Sequence, residues 1–147
     1  MVNAPRGGPE EAARRRMSGM TFDTGALIAL VDQKHLSMRK VFDAAQDLGV
    51  PIHVPAVVVA EWWRSGHREK ERAKYIRAMH VIATDEHLAR LAGNALTLVR
   101  RATTIDAIVM VTAAHFGDLD VYTSDPADLE ELRDGVPALA KIKVTRA

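Results

Sequence analysis

The chain contains no cysteine. That excludes disulfides and thiolate zinc sites, and it is compatible with a reducing compartment. It also lacks a dominant charge: 20 Lys and Arg stand against 19 Asp and Glu, for a net charge of +1. Nothing global draws such a chain to nucleic acid, so any such role must rest on local patches. No apolar run approaches the roughly 18 residues of a membrane span, and the first residues lack the apolar region of a secretory signal. The expectation is a cytoplasmic protein with no membrane contact. There is no internal repeat, and none of the six histidines has a zinc-ligand spacing. What is present is 147 residues, 48% of them hydrophobic, the size of one domain and enough for a real core.

Residues 1–19 stand apart. Asn3-Ala-Pro-Arg-Gly-Gly-Pro is turn and linker chemistry, and Glu10 to Arg16 is charged and alanine-rich without an apolar face. A flexible tail over 1–19 is expected, with a folded domain over 20–147. Met17 and Met20 are, beside Met1, alternative translation starts. The Arg14-Arg15-Arg16 run reads as a solvated part of the tail, with RNA contact as the alternative.

From Met20 onward, short apolar runs alternate with helical patterns. A strand ending at Asp23 leads into a helix from Ala26, and a second helix covers Leu36 to Leu48, stopped by Gly49. Ile52-His53-Val54 reads as a strand, and Pro55 opens the helix Ala56 to Arg64. A basic helix follows over Arg64 to Arg77. Val81-Ile82-Ala83 reads as an extended link, and Thr84 as the cap of a helix from Asp85 to about Arg100. Thr103-Thr104-Ile105-Asp106 enters a helix that is apolar nearly all round and ends at Gly117. Leu119 to Tyr122 reads as a strand, followed by a helix around Asp128 to Arg133 and a last strand, Lys141 to Val144. Alternation of this kind indicates an α/β sandwich with a mainly parallel sheet.

Four acids stand out. Asp23 and Asp125 sit where a strand hands over to a helix, beyond the carboxyl ends of strands, where open parallel sheets bind ligands. Glu61 lies on an otherwise apolar helical face, and Asp106 is flanked by Ile105 and Ile108. Each has a structural reading. Asp125 followed by Pro126 is a good helix start, Asp128 suits a first turn, and Asp106 suits a capping box with Thr103. Glu61, buried unpaired, would need a partner or a metal. Four ionised carboxylates gathered together would require a compensating cation. Hard oxygen ligands suit magnesium or manganese, which activate water and neutralise charge on a phosphate.

The chain resembles the PIN-domain family and, within it, the VapC-type toxin ribonucleases, over about residues 20–144. The residues that carry the resemblance are Phe22-Asp23-Thr24 with Ala26-Leu27, then Ala60-Glu61, then Ile105-Asp106-Ala107-Ile108, and finally Thr123-Ser124-Asp125 with Asp128-Leu129. The resemblance implies a three-layer α/β/α sandwich with an acidic pocket at one edge. It implies a metal-dependent endoribonuclease, the toxin of a toxin–antitoxin pair, held inactive by a cognate antitoxin protein. Asp23, Glu61, Asp106 and Asp125 then correspond to acids that hold Mg2+, with Mn2+ as an alternative. Ser124, with Thr123, corresponds to a hydroxyl that supports the pocket, and Asp128 is either an extra acid or a helix cap. The basic helix from Arg64 to Arg77 reads as a solvated face with intrahelical ion pairs, with a phosphate-tracking face as the alternative; on charge alone, and not on the resemblance, it or Arg100-Arg101 would hold the RNA backbone. Trp62-Trp63 reads as packing, with an antitoxin groove or a homodimer interface as the alternative.

Other readings of acids at strand ends fit less well. A phosphatase of the haloacid dehalogenase type needs a second Asp two residues after the first, where this chain has Gly25. A receiver domain needs a late lysine where Asp125 stands. A catalytically inactive PIN-like module that binds RNA or protein is the remaining alternative, and it has no use for four acids facing RNA phosphates.

Overall fold

A computed structural model describes residues 18–31, 36–63 and 68–147. Five strands and seven α-helices follow in order among them: β1 (Met20–Phe22), α1 (Thr24–Val31), α2 (Ser37–Leu48), β2 (Ile52–Pro55), α3 (Ala56–Trp63), α4 (Glu69–Arg77), β3 (His80–Ile82), α5 (Glu86–Leu96), α6 (Thr104–Phe116), β4 (Asp120–Thr123), α7 (Pro126–Gly135) and β5 (Lys143–Arg146), with a 3₁₀ turn at Pro137–Leu139 before β5. All strand pairs are parallel, in the order β3-β2-β1-β4-β5. The chain travels outward from β1 to β3, then crosses back to β4 and β5. Right-handed crossovers therefore place α1–α4 on one face and α5–α7 on the other, giving the three-layer sandwich expected. The reversal falls between β1 and β4, which pair Phe22 with Tyr122. In sheets of this order that junction leaves a crevice beyond the strand ends.

Local chemistry accounts for most of the boundaries. Gly49 and Gly117 both adopt φ of 68°, a left-handed conformation that stops α2 and α6 without the strain a Cβ would bring. Helix α6 begins at a capping box: the Thr103 hydroxyl accepts from the Asp106 N–H, and the Asp106 carboxylate accepts from the Thr103 N–H. Its seven consecutive residues Ala107 to Ala113 are all buried, because the sheet lies on one side and α5 and α7 on the other. On the opposite face, Ala26, Leu27, Leu30 and Val31 bury the inner stripe of α1. Truncating a fully buried side chain such as Leu27 would cost about 2–5 kcal/mol.

Several boundaries depart from the sequence reading. Val81 and Ile82 belong to a true edge strand, because β2 supplies ladder partners at His53, Val54 and Pro55. The cap of α5 is Asp85, whose carboxylate accepts from the Leu88 N–H at 2.9 Å, rather than Thr84. Helix α5 stops at Leu96 and not near Arg100. The Thr97 hydroxyl turns back onto the Asn94 carbonyl, and the amides of Arg100 and Arg101 leave the helical path to meet Glu131. Helix α7 is longer than expected, and β5 starts two residues later than expected. The basic segment is helical from Glu69, after Arg68 at φ of 53°. Trp62 is buried and Trp63 packs against the core, so the pair serves packing. The tail over 1–17 and Arg64 lie outside the described residues. No helix among the described residues is long and apolar enough to cross a membrane.

Candidate active site

Each of the five residues singled out in the sequence arrives by a different local device. Asp23 follows the last residue of β1, and its own N–H donates to the Tyr122 carbonyl of β4. Its carboxylate Oδ1 accepts from the Ala26 N–H at 2.9 Å, closing the first turn of α1, and the Thr123 hydroxyl donates to it as well. Glu61 reaches in from α3, where its Oε1 accepts from the Thr24 hydroxyl at 2.7 Å. Asp106 is held in the α6 capping box. Ser124 and Asp125 form the turn after β4, and the Asp125 N–H donates to Thr123 Oγ1 at 3.1 Å.

These side chains come from four separated stretches of sequence, yet Asp23, Glu61, Asp106, Ser124 and Asp125 line one pocket of about 250 Å³, together with Asp128. Helix capping accounts for Asp106 and in part for Asp23. It does not account for Asp125, which occupies the cap position of α7 but makes no side-chain capping bond. The capping alternative for Asp125 is therefore not borne out: at φ of −130° and ψ of 85° it stands at the cap position with no bond from its side chain to the helix end. Asp128, read as a cap or an extra acid, stands with the acids on the pocket wall.

Among the described residues of the pocket wall, every charged side chain is an acid; none is Lys, Arg or His. Burial pushes the Asp23 carboxyl above its ordinary range and Asp106 repels its charge, against the pull of hydrogen bonds from Thr123, Ala26 and Gly25. Asp128 is raised too, by desolvation and then by Asp106, Asp125 and Glu131, with Arg101 opposing. Among the described residues no group of three or more carboxylates or imidazoles is placed to hold a metal ion as the side chains stand. The donor set is instead an open wall of hard oxygens: carboxylates with the Thr123 and Ser124 hydroxyls. Such a wall matches a small, hydrated divalent ion such as Mg2+, which keeps several waters and takes only one or two carboxylates directly.

Two residues to which the sequence reading gives no role of their own help to build the site. Thr24 orients Glu61 through its hydroxyl. At Gly25 a Cβ would overlap the Ser124 side chain and stand 2.8 Å from its backbone N. The close approach of α1 to the β4 turn therefore requires glycine. The Asp-Thr-Gly run at a strand-to-helix junction was the available clue to both. Arg146, at the end of β5, holds the same turn from outside by donating to the Ser124 carbonyl at 3.2 Å.

No family model and no curated protein matches the sequence. Solved structures do match. The Mycobacterium tuberculosis toxin VapC20, described as cleaving the sarcin-ricin loop, aligns with a TM-score of 0.62 and 22% identity over 76% of this chain and 93% of that one. A chain of Rickettsia felis VapBC2, bound to promoter DNA, aligns with a TM-score of 0.61 and 9% identity over 87% and 98%. A toxin–antitoxin complex from Klebsiella pneumoniae aligns with a TM-score of 0.63 and 17% identity over 86% and 96%. The five-stranded parallel sheet and its flanking helices are thus the PIN-like fold of the VapC toxins.

Proposed function

We propose that this protein is a metal-dependent endoribonuclease that hydrolyses RNA phosphodiester bonds and acts as the toxin of a toxin–antitoxin pair. The observation that carries the reading is the convergence of Asp23, Glu61, Asp106, Asp125 and Ser124 on one pocket at the β1/β4 switch point, with no cation among its described lining residues. The fold it shares with VapC20 and with the two complexes supports the same reading, as well as a cognate antitoxin as partner.

The cofactor proposed is Mg2+, with Mn2+ able to replace it, held by Asp23, Asp106, Asp125 and Glu61 either directly or through its own waters. When bound, a divalent cation of this kind lowers the pKa of water and neutralises charge developing on a phosphate. The chain's own part is placement. The Ala26 N–H and the Thr123 hydroxyl fix the Asp23 carboxylate, the Thr24 hydroxyl fixes Glu61, and the capping box fixes Asp106. Asp125, with no capping bond, keeps its oxygens for the pocket. Ser124 offers its hydroxyl at the pocket wall, next to the close-set Gly25.

The test is cleavage of total cellular RNA by purified protein with magnesium, with manganese and with chelator, beside an Asp23→Ala/Asp106→Ala variant. Discrete fragments that need metal and vanish in the variant support the reading. Intact RNA in every arm, from folded protein free of antitoxin, overturns it in favour of a binding module.

A further inference from the structure

The acid pocket poses a problem for the function proposed for it. RNA phosphates must approach a wall of carboxylates on a protein whose net charge is only +1, so a local cationic flank has to hold the strand. Two basic stretches compete for that role. On α4 and the residue before it, two of the cations are engaged in the fold: Arg68 donates to the Val31 carbonyl at 2.8 Å, and the Arg72 guanidinium lies 5.5 Å from the Trp62 ring centroid, while Lys70, Lys74 and Arg77 are exposed but spread along one helix. The loop between α5 and α6 is different. Arg100 and Arg101 are both exposed, and their consecutive backbone N–H groups converge on a single oxygen, Glu131 Oε1, at 2.9 and 3.3 Å.

Successive amides aimed at one point form an anion-binding nest, and a guanidinium beside them is suited to phosphate. In this structure a carboxylate of the protein itself occupies that nest. The loop also adjoins the acid pocket: Asp128, one turn before Glu131 on α7, lines that pocket, and so does Asp106, which follows the loop in the first turn of α6. We infer that the Arg100–Arg101 loop is a phosphate subsite for an RNA strand entering the acid pocket, and that Glu131 is its built-in competitor, displaced when RNA binds. The inference rests on the ribonuclease reading and adds to it the place where the strand is held.

Binding of a short, labelled single-stranded RNA, measured by fluorescence anisotropy in chelator, tests the subsite without cleavage. Arg100→Ala/Arg101→Ala should weaken binding about tenfold and flatten its salt dependence by about 0.7 for each phosphate no longer neutralised. Glu131→Ala should do the reverse and tighten binding about threefold, as expected when a charge competing for a phosphate is removed. Glu130→Ala, the same change one residue away, should move it far less. Thermal unfolding of each variant checks that it is folded. Equal effects of Glu131→Ala and Glu130→Ala, or weaker binding by Glu131→Ala, would make Glu131 a loop tie and overturn the inference, as would indifference to the arginine pair. RNA held through these arginines but never cut would remove the ribonuclease reading alone. RNA cut normally by the arginine variant, with unchanged binding, would remove the subsite alone.

Discussion

Two aspartates stand beside the same sheet, and the fold treats them in opposite ways. Asp118 precedes β4 and is fully buried, and its Oδ2 has partners: Thr21 donates its hydroxyl to it at 2.7 Å, and His53 Nδ1 meets the same oxygen at 2.7 Å, while Oδ1 has none among the described residues. The His53 ring in turn stacks on Phe116, with centroids 4.3 Å apart. Asp23, beyond the far end of β1, is partly open to the pocket; it accepts from the Ala26 N–H, but its charge is opposed by Asp106, and Glu61, Asp125 and Asp128 line the same pocket. A glycine makes room at each end. A Cβ on Gly19 would meet Asp118 Oδ1 and the Pro51 carbonyl, and one on Gly25 would meet Ser124. The difference teaches which charges serve the fold. A buried carboxylate with a hydroxyl and an imidazole holds three segments together. A carboxylate left facing other acids is a standing cost, relieved by a bound cation or by taking up a proton.

The contrast can be broken most severely at Asp118. Removing a carboxylate that a buried hydroxyl and an imidazole share leaves both stranded, at a cost of about 1–3 kcal/mol each. Asp118→Ala should therefore unfold at much lower urea, while any RNA cleavage per folded molecule stays unchanged. Asp125→Asn should do the opposite: cleavage falls about 100-fold, equivalent to about 2.7 kcal/mol of barrier, and the urea midpoint barely moves, because that side chain caps nothing. Gly19→Ala comes next, with about 1–3 kcal/mol lost to overpacking, seen in equilibrium unfolding.

The smallest effect has the most telling sign. Because the Asp23 carboxyl is raised in the fold, the folded state holds its proton to higher pH than the unfolded chain does. Stability therefore falls as pH rises from the ordinary carboxylate range through the raised value, and the full penalty is present at neutral pH. Asp23→Asn should raise Tm by a few degrees at pH 7, and that gain should fade as the buffer is taken below the ordinary carboxylate range. A variant that is less stable than the parent at pH 7 would sink the view that Asp23 is a stored cost.

Much of this was legible in the chain. Strand ends at Asp23 and Asp125, the capping box of Thr103 and Asp106, and stops at Gly49 and Gly117 all depend on residues within a few positions of one another, where local sterics and hydrogen bonding decide. The acids of the pocket were legible because each sits at such a boundary. Val81 and Ile82 were not recognised as a strand, since an edge strand of three residues is defined by the ladder that β2 offers it. Helix α5 ended early because Glu131, some thirty residues on, takes the amides of Arg100 and Arg101. Asp118 drew no attention, because nothing near it in sequence shows that Thr21 and His53 will face it.

The sequence by itself determined the alternation of short strands and helices, the caps, and the positions of acids at strand ends, because these follow from backbone geometry over three or four residues. Tertiary structure alone decided which carboxylates are partnered and which are left facing one another. That depends on β1 lying between β2 and β4, a pairing of segments about a hundred residues apart. Only the burial of a common core brings those segments together.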